Sequence, residues 1–267
     1  MKSKTILAAL GLALIAAPLP TALAAGPAKP AATAKPAAPA GANVYEVLKG
    51  MSDKLAGAKV FSFKANREVN ATIAAARNLQ ATTAIDVIVQ RPNSVVGSST
   101  NADGVRRMYY DGTTFTMLDA KENMYASVAL LGTLDSLPGQ LASKFGFVPP
   151  LADFVISNPY QDMRLRAKTI TYSGTEMAGT PAVECHHIAL SGSAANSELW
   201  IAVSDNLPRK MTATVKGATG TQLTIDFTEW NLNATVTPET FVFTPPKDSQ
   251  QIPMVTTAEM QAAAKAK

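Results

Sequence analysis

Apolar residues recur at two spacings along the chain, and each spacing predicts a different kind of element. Those from Val44 to Leu55 fall at helical spacing and stop before Gly57, so an amphipathic helix with one packed face is expected there. After this helix the chain consists mostly of short runs rich in β-branched and aromatic residues, separated by turn residues. Such runs are typical of β-strands.

About eleven strands are expected from these runs, joined by short breaks with turn chemistry that favour an antiparallel meander. Asp111-Gly112, between two runs, is the strongest hairpin signal. The runs are Val60–Ala65, Leu79–Gln90, Ser94–Thr100, Val105–Tyr110, Thr114–Leu118, Met124–Val128, Lys168–Glu176, Pro181–Leu190, Glu198–Val203, Arg209–Val215, Gln222–Trp230 and Phe241–Phe243.

The segment from Leu130 to Ile156 has a different pattern, with many leucines and phenylalanines broken by glycines and prolines. It predicts one or two short helices, within Leu130–Phe147 and Pro150–Ile156. Short helices depend on tertiary contacts, so this segment is expected to bury its apolar side chains against the sheet. Two interpretations remain open: a movable lid over a cavity, or a fixed plug that belongs to the core.

Several strands alternate apolar and polar residues, which predicts one dry face of the sheet. The inward sets are Phe61, Phe63 and Ala65; Ile85, Val87 and Val89; Leu199, Ile201 and Val203; and Leu223, Ile225 and Phe227. Strands are not interleaved with full-length helices, which disfavours a parallel α/β fold. The expected fold is therefore mainly β (α+β): an unclosed antiparallel β-barrel, or strongly curved sheet, capped by short helices with apolar space between.

Four segments are expected from composition. Residues 1–24 have a basic start, an apolar stretch and the small-residue pattern Ala22-Leu23-Ala24, which predict a cleavable secretory signal peptide and a periplasmic location. Residues 25–42 are an Ala/Pro-rich linker, 43–247 a single domain, and 248–267 a polar, flexible tail. The mature chain has no apolar run long enough to span a membrane.

Charge argues against a nucleic-acid partner. Six of the 24 Lys plus Arg and two of the 20 Asp plus Glu lie outside residues 43–247, which leaves 18 of each sign in the domain. The basic pI of about 9.1 thus comes from the appendages, whereas a nucleic-acid binder carries its positive charge on the folded surface.

Catalytic and metal-binding motifs are missing from the sequence, so no active site, metal site or cofactor is predicted. Cys185-His186-His187 is the one suggestive cluster. On a strand only Cys185 and His187 share a face, and two ligands do not complete a zinc site. We interpret the group as structural, with one histidine half-buried and hydrogen-bonded and the other in solvent. With one cysteine in the chain, no intramolecular disulfide is expected.

Two residue types remain candidates for contact with a ligand. Methionines such as Met163 and Met211 adapt to irregular apolar shapes and suit a cavity wall, although ordinary core filling explains them as well. The arginines at 106, 107, 164 and 166 suit a headgroup or carbonyl, although solvated surface is the usual place for arginine.

The last third of the domain resembles a known family. The residues that carry the resemblance are Cys185-x-His187, Leu199-Trp200-Ile201, Leu207-Pro208-Arg209-Lys210, Phe227-x-x-Trp230 and Phe241-x-Phe243-x-Pro245-Pro246. They are similar to a predicted periplasmic family of unknown function that is itself similar to LolA-type (LolA/LppX-like) outer-membrane lipoprotein carriers. The resemblance implies an unclosed β-barrel with an apolar cavity, which agrees with the fold expected from the pattern.

The implied function is a non-enzymatic periplasmic carrier or binding protein for a lipid or a lipoprotein acyl chain, with an envelope protein as a further partner. The alternative is a structural or protein-interaction module with a filled core and no ligand. Cys185, His187, Trp200 and Trp230 are expected to be structural. The expected cavity-lining residues are Phe61, Phe63, Ile85, Val87, Met117, Leu141, Phe145, Phe154, Leu199, Ile201, Ile225 and Phe227.

Overall fold

A computed structural model describes residues 42–77, 79–216 and 222–265 of the chain. Across these residues twelve strands form one sheet, which confirms the mainly β, unclosed architecture with short helices. The strands are β1 Val60–Val69, β2 Thr82–Gln90, β3 Ser94–Asn101, β4 Gly104–Tyr110, β5 Thr114–Asp119, β6 Met124–Ala129, β7 Ala167–Ala178, β8 Val183–Gly192, β9 Ala195–Ala202, β10 Pro208–Val215, β11 Leu223–Asn231 and β12 Gln250–Gln251. The helices are α1 Val44–Ala56, α2 Ala71–Arg77, α3 Leu137–Phe145, α4 Pro159–Arg166 and α5 Thr257–Lys265.

The sheet consists of two antiparallel meanders. Its order is β12-β6-β5-β4-β3-β2-β1-β11-β10-β9-β8-β7, so one meander holds β1 to β6 and the other β7 to β11. Pairing of β1 with β11 joins the two, with Phe63 opposite Trp230 and Arg67 opposite Ile225. β12 pairs parallel with the start of β6 at one edge, and β7 forms the other edge.

The hairpin predicted at Asp111-Gly112 connects β4 and β5. Oδ1 of Asp111 accepts hydrogen bonds from the backbone N–H of Thr113 and of Thr114, both at 2.8 Å, which is the local pairing that makes Asp a turn former. Gly112 adopts a φ of +90°, where a side chain would be strained. The sequence signal is therefore confirmed.

One face of the sheet is dry, as the alternation predicts. Phe61, Phe63, Ile201, Ile225 and Phe227 are at most 3% exposed on this concave face. The prediction for Val203 is wrong, because β9 ends at Ala202 and Val203 lies in the following turn, 42% exposed. Val203 still donates its backbone N–H to the Glu184 carbonyl at 3.0 Å, but the turn that begins there sets the direction of its side chain.

α1 forms where it was predicted. The Asn43 side chain accepts a hydrogen bond from the Tyr45 N–H at 3.0 Å and caps the first turn, and Gly57 is the C-cap. Leu48, Met51 and Leu55 are fully buried and belong to the main core. The packed face thus follows the 3.6-residue period of the sequence.

The segment 130–156 packs into the same core as the sheet. It contains α3 and a short 3-10 helix, Ala152–Phe154. Leu131 is the exception to the expected burial, since it is 75% exposed. The buried members are Leu130, Leu134, Leu137, Leu141, Phe145, Phe147, Leu151, Phe154 and Val155.

Arginine holds the end of this segment in place. Arg91 donates from Nη1 to the carbonyl of Val155 at 2.7 Å and from Nη2 to that of Ile156 at 3.0 Å. These bonds satisfy backbone carbonyls at the end of a short irregular stretch, where helical bonds are lacking. Arg91 follows β2 directly, so the segment is tied to the sheet.

The C-terminal region departs from the sequence prediction. Phe241–Phe243 is not a strand, because Pro238–Phe241 forms a 3-10 helix. The Phe243 ring instead contacts Tyr109 and Tyr125 on the outer face, with centroids 5.4 and 4.9 Å away. An apolar alternation of three residues does not distinguish a strand from an extended segment that packs aromatic rings.

The packed region extends beyond Lys247, where the tail was expected to begin. β12 continues the sheet, and Ile252, 7% exposed, packs against Met124 and Ala126. α5 then lies near α3, and the Thr257 hydroxyl donates to the carbonyl of Lys144 at 3.3 Å. The described residues contain no helix long and apolar enough to cross a membrane. The expected signal peptide and nearly all of the linker, residues 1–41, lie outside the described residues.

Candidate functional site

A cavity of about 450 Å³ lies between the concave side of β8 to β11 and the segment that follows α3. One wall consists of inward residues of neighbouring strands, including Leu190, Leu199, Met211 and Ile225. The opposite wall consists of residues 148–154 and the side of α4 that carries Met163. The volume lies in the range of roughly 300 to 1,000 Å³ that is typical of small-molecule sites.

Local sequence explains why this wall stands off the sheet. Pro149 and Pro150 interrupt the helical segment, and Leu151 adopts a left-handed φ of +65°, which directs the chain into the short 3-10 helix. Phe154 then packs edge-on against Phe227, with ring centroids 5.0 Å apart and planes at 78°. This aromatic pair separates the cavity from the packed core, since Phe154 lines the cavity while Phe227 does not.

Most of the cavity wall is apolar, and the methionines predicted as adaptable wall residues contribute to it. Met163 comes from α4 and Met211 from β10. Unbranched thioether side chains fill irregular space and rearrange at low cost. The wall therefore suits an elongated apolar guest whose shape is not rigidly specified.

One acid–base cluster lies at the edge of the cavity. Arg166 donates from Nη2 to Asp153 Oδ1 at 2.7 Å and from Nε to Asp162 Oδ2 at 2.8 Å. Burial raises the pKa of the Asp153 carboxyl, although the charge of Arg166 opposes this. Two carboxylates thus share one guanidinium, so the charge of Arg166 is matched within the protein.

A second arginine lines the cavity in a different setting. Arg67 Nη2 donates to the Thr83 hydroxyl at 2.9 Å, while its Nε is buried without a hydrogen-bond partner. Burial lowers the pKa of the Arg67 guanidinium. Within residues 42–77, 79–216 and 222–265, no carboxylate forms an ion pair with it.

The expected cavity residues divide into two groups. Phe154, Leu199 and Ile225 line the 450 Å³ cavity, and Val87 lines a separate gap of about 20 Å³. The remainder lie outside these linings and pack in the main core: Phe61, Phe63, Ile85, Met117, Leu141, Phe145, Ile201 and Phe227. Alternation identifies the concave face, but it does not indicate which part of that face the helices fill.

Sequence reasoning missed Arg67, Leu190 and Asp153 as cavity residues. A signal for Arg67 is present, because it continues the inward series Phe61, Phe63 and Ala65 at a spacing of two. A charged residue at an inward position of a dry face indicates a polar contact within the cavity. Asp153 carries no such signal, since its direction is set by an irregular turn.

The Cys185 and His187 side chains share one face of β8, as predicted, and this is the outer face of the sheet. His187 stacks on Trp200 with ring centroids 4.4 Å apart and planes at 13°, and its Nδ1 lies 3.3 Å from Glu176 Oε1. The prediction that one histidine lies in solvent is wrong, because the His187 side chain is 17% exposed and His186 bonds the Tyr172 hydroxyl. No group of three or more metal-ligating side chains occurs in the part of the chain that the structure describes.

A protein-family model matches most of the chain. The family described as "Predicted periplasmic protein (DUF2092)" matches residues 45–255, which confirms the resemblance to a predicted periplasmic family. No curated protein matches the chain at a significant level.

Solved structures with a similar outline come from several bacteria. An uncharacterized conserved protein from Thermus thermophilus is 9% identical, with 78% of this chain and 97% of that chain covered at a TM-score of 0.49. The lipoprotein LppX from Mycobacterium tuberculosis is 11% identical, with 73% and 98% covered at 0.42. A LolA superfamily protein from Nitrosomonas europaea is 9% identical, with 76% and 99% covered at 0.38.

Proposed function

This chain belongs to the family of predicted periplasmic proteins DUF2092, and we propose that it is a non-enzymatic carrier or binding protein that holds a lipid or lipoprotein acyl chain in its cavity. The cavity of about 450 Å³ is the observation that carries the proposal. An acyl chain gains about 25 cal/mol for each Å² of apolar surface that it removes from water. An elongated apolar guest is therefore the kind of ligand that this wall favours.

The family description supports a periplasmic location, and the first 24 residues have the pattern of a secretory signal that would direct export. In this proposal they are a signal peptide removed after Ala24, and residues 25–42 become the N-terminal linker of the mature protein. N-terminal sequencing of protein from a periplasmic extract tests this step. Sequence that begins at Met1 would contradict it.

The direct test is to recover the ligand. Protein purified from the periplasm without detergent is examined by native mass spectrometry, and its organic extract by lipid analysis. The expected result is an extra mass that corresponds to a lipid. A fluorescent fatty acid then measures binding to delipidated protein, and protein that is empty and also fails to bind this probe would contradict the proposal.

A matched control separates binding in the cavity from adsorption to the surface. Leu165 is 76% exposed and does not line the cavity, so Leu165→Ser removes an exposed apolar side chain and leaves the cavity unchanged. Binding of the fluorescent fatty acid should be the same in this variant as in the wild type. A large loss would place the probe on the surface.

A structural or protein-interaction module is the second candidate, and one observation favours it. Beneath β2 and β3 the inward side chains of the described residues pack closely, since the gap beside Val87 and Val95 is about 20 Å³. The helices then act as core rather than as a cover for a ligand. The two candidates differ in whether the space beneath β8 to β11 admits added apolar atoms, which is measured by the cavity-filling variant in the Discussion.

A further inference from the structure

We propose that Arg67 binds the anionic head of the ligand, which is therefore an amphiphile with one apolar chain and a carboxylate or phosphate group. This inference rests on the proposed function and makes its ligand more specific. The inference also assigns an orientation to the bound ligand, with its head at β1 and its apolar chain along the inward side of β11, β10, β9 and β8.

The position of Arg67 in the sheet directs it into the cavity. Its inward neighbour Ala65 is 2% exposed, and across the ladder it faces Thr83 on β2 and Ile225 on β11. Ile225 lines the same cavity. A guanidinium at this position is surrounded by apolar wall on the β11 side and by a single hydroxyl on the β2 side.

Arg67 differs in its partners from Arg166, the other arginine in the cavity lining. Arg166 is matched by two carboxylates, Arg91 by backbone carbonyls, and both Arg106 and Arg209 by an aspartate. Arg67 donates to a neutral hydroxyl; Arg91 and Arg164 also bond neutral oxygens, but neither lines the cavity. A charge held in an apolar setting without a counter-charge is costly, and a bound anion removes that cost.

The donor geometry that remains suits an oxyanion. The guanidinium presents Nε–H and Nη–H groups in a fixed fork that matches the two oxygens of a carboxylate or phosphate. Protein atoms enclose Nε, and Nη2 bonds Thr83, so the Nη1 and Nη2 end of the guanidinium is the edge that a bound oxyanion can reach. Thr83 is 2% exposed, so its hydroxyl fixes the guanidinium plane rather than competing with solvent.

The apolar wall continues away from Arg67 far enough for a chain. From β1 to β8 the sheet order crosses β11, β10 and β9, which at about 4.8 Å per strand gives roughly 19 Å along the sheet. Met211, Leu199 and Leu190 lie along this path, under the wall formed by Phe154. At the other charged point, Arg166 is already neutralised by Asp153 and Asp162 and does not form a second anion site.

The test is a competition experiment on delipidated, signal-processed protein with a neutral fluorescent probe, the methyl ester of a fluorescent fatty acid. Competitors are palmitic acid, palmityl phosphate and methyl palmitate, which share a chain and differ in the head. Wild-type protein should bind one or both anions about tenfold or more tightly than the ester, as expected for charge-assisted hydrogen bonds. Whichever anion binds more tightly identifies the head as fatty-acid-like or phospholipid-like.

Variants assign the preference to Arg67. Arg67→Met should bind the acid, the phosphate and the ester with similar affinity, while its affinity for the ester stays at the wild-type level. Arg67→Lys should retain part of the preference. Arg107 is exposed on the outer side of β4, so Arg107→Met is the matched control and should behave like the wild type.

The outcomes separate this inference from the proposed function. Wild-type protein that binds acid, phosphate and ester equally would overturn the inference and leave the carrier function standing. A preference that survives in folded Arg67→Met would also overturn it. Wild-type protein that binds neither the probe nor any competitor would instead contradict the carrier function itself.

Discussion

Ala213→Leu tests directly whether the space beneath β8 to β11 is hollow. Ala213 is 6% exposed on β10, and its methyl group lines the cavity of about 450 Å³. Leucine adds three carbons, each contributing about 0.8 kcal/mol when buried, and loses roughly 0.5 to 1 kcal/mol of side-chain entropy. The free energy of unfolding should therefore rise by about 1 to 2 kcal/mol, because the added atoms enter existing space.

Ala65→Leu is the matched control, since Ala65 is also an inward alanine within a strand, 2% exposed. It belongs to the main core and does not line the cavity. Extra carbons there overpack the core, so the free energy of unfolding should fall by about 1 to 3 kcal/mol. The two variants thus make the same chemical change with opposite expected signs.

Urea unfolding followed by far-ultraviolet circular dichroism measures both variants, and the fluorescent fatty acid measures binding. Ala213→Leu should bind the probe more weakly than the wild type while being more stable. The reasoning is refuted if Ala213→Leu is destabilised as much as Ala65→Leu. That result would mean that the space is already filled, and it would favour the structural or interaction module.

Four further predictions follow from the packing. Cys185 is fully buried and burial raises the pKa of its thiol, so maleimide labelling of the folded protein should be slow, and rapid labelling would contradict its structural role. Trp230→Ala removes the ring contact with Phe63 and a hydrogen bond to the Pro208 carbonyl at 2.8 Å, so we expect a loss of about 3 kcal/mol in urea unfolding, and an unchanged midpoint would show the ring to be dispensable. In hydrogen exchange, the amides of α3 should be as protected as those of β11, whereas the amides of residues 148–154 should exchange faster and become slower when a ligand is added. Equal protection of all three segments without ligand would favour a fixed plug. Burial lowers the pKa of His186 below its ordinary value of 6.5, because the folded protein favours the neutral ring. The stability that His186 contributes is therefore present above pH 6.5 and is lost as the pH falls below 6.5 towards the lower pKa of the folded state. His186→Gln should lose less stability than the wild type when the pH is lowered from neutral to acidic.

Strand positions were predictable from the sequence because the local signals are strong. The turn at Asp111-Gly112 fixes the β4–β5 hairpin, and the alternation of Phe61, Phe63 and Ala65 identifies the inward face of β1. Both signals act within a few residues. They are decided by turn geometry and by the two-residue period of a strand, which do not depend on distant parts of the chain.

Elements that depend on tertiary contacts were missed. α2 and α4 have no clear apolar stripe, and α4 is held by the Asn158 cap, the Arg166–Asp162 pair and the buried side chain of Met163 in the main core. β12 consists of two glutamines. It pairs with β6 because the aromatic contacts of Phe243 hold the preceding chain beside that strand. Sequence periodicity carries no information about such docking.

The sequence predicted an apolar cavity on the concave side of the sheet, but not its position along the sheet. Its location depends on Pro149, Pro150 and the left-handed Leu151, which keep the wall away from β8 to β11 while α3 closes onto the rest of the core. Whether an inward apolar residue meets another side chain or empty space is decided by this one turn. Alternation along a strand is the same in both cases.

The two ends of the sheet differ in how they can associate with other molecules. β12 occupies the partner positions of Met124 and Tyr125 on β6, whereas β7 offers a twelve-residue edge whose pairing with β8 is interrupted by two bulges. Growth of a fibril by strand addition needs two complementary edges, one on each side of every copy. On the β6 side β12 covers the start of the strand, and on the β7 side two bulges kink the backbone that a further strand would have to match. Both edges of the sheet are therefore poorer templates for strand addition than two flat, uncovered strands would be.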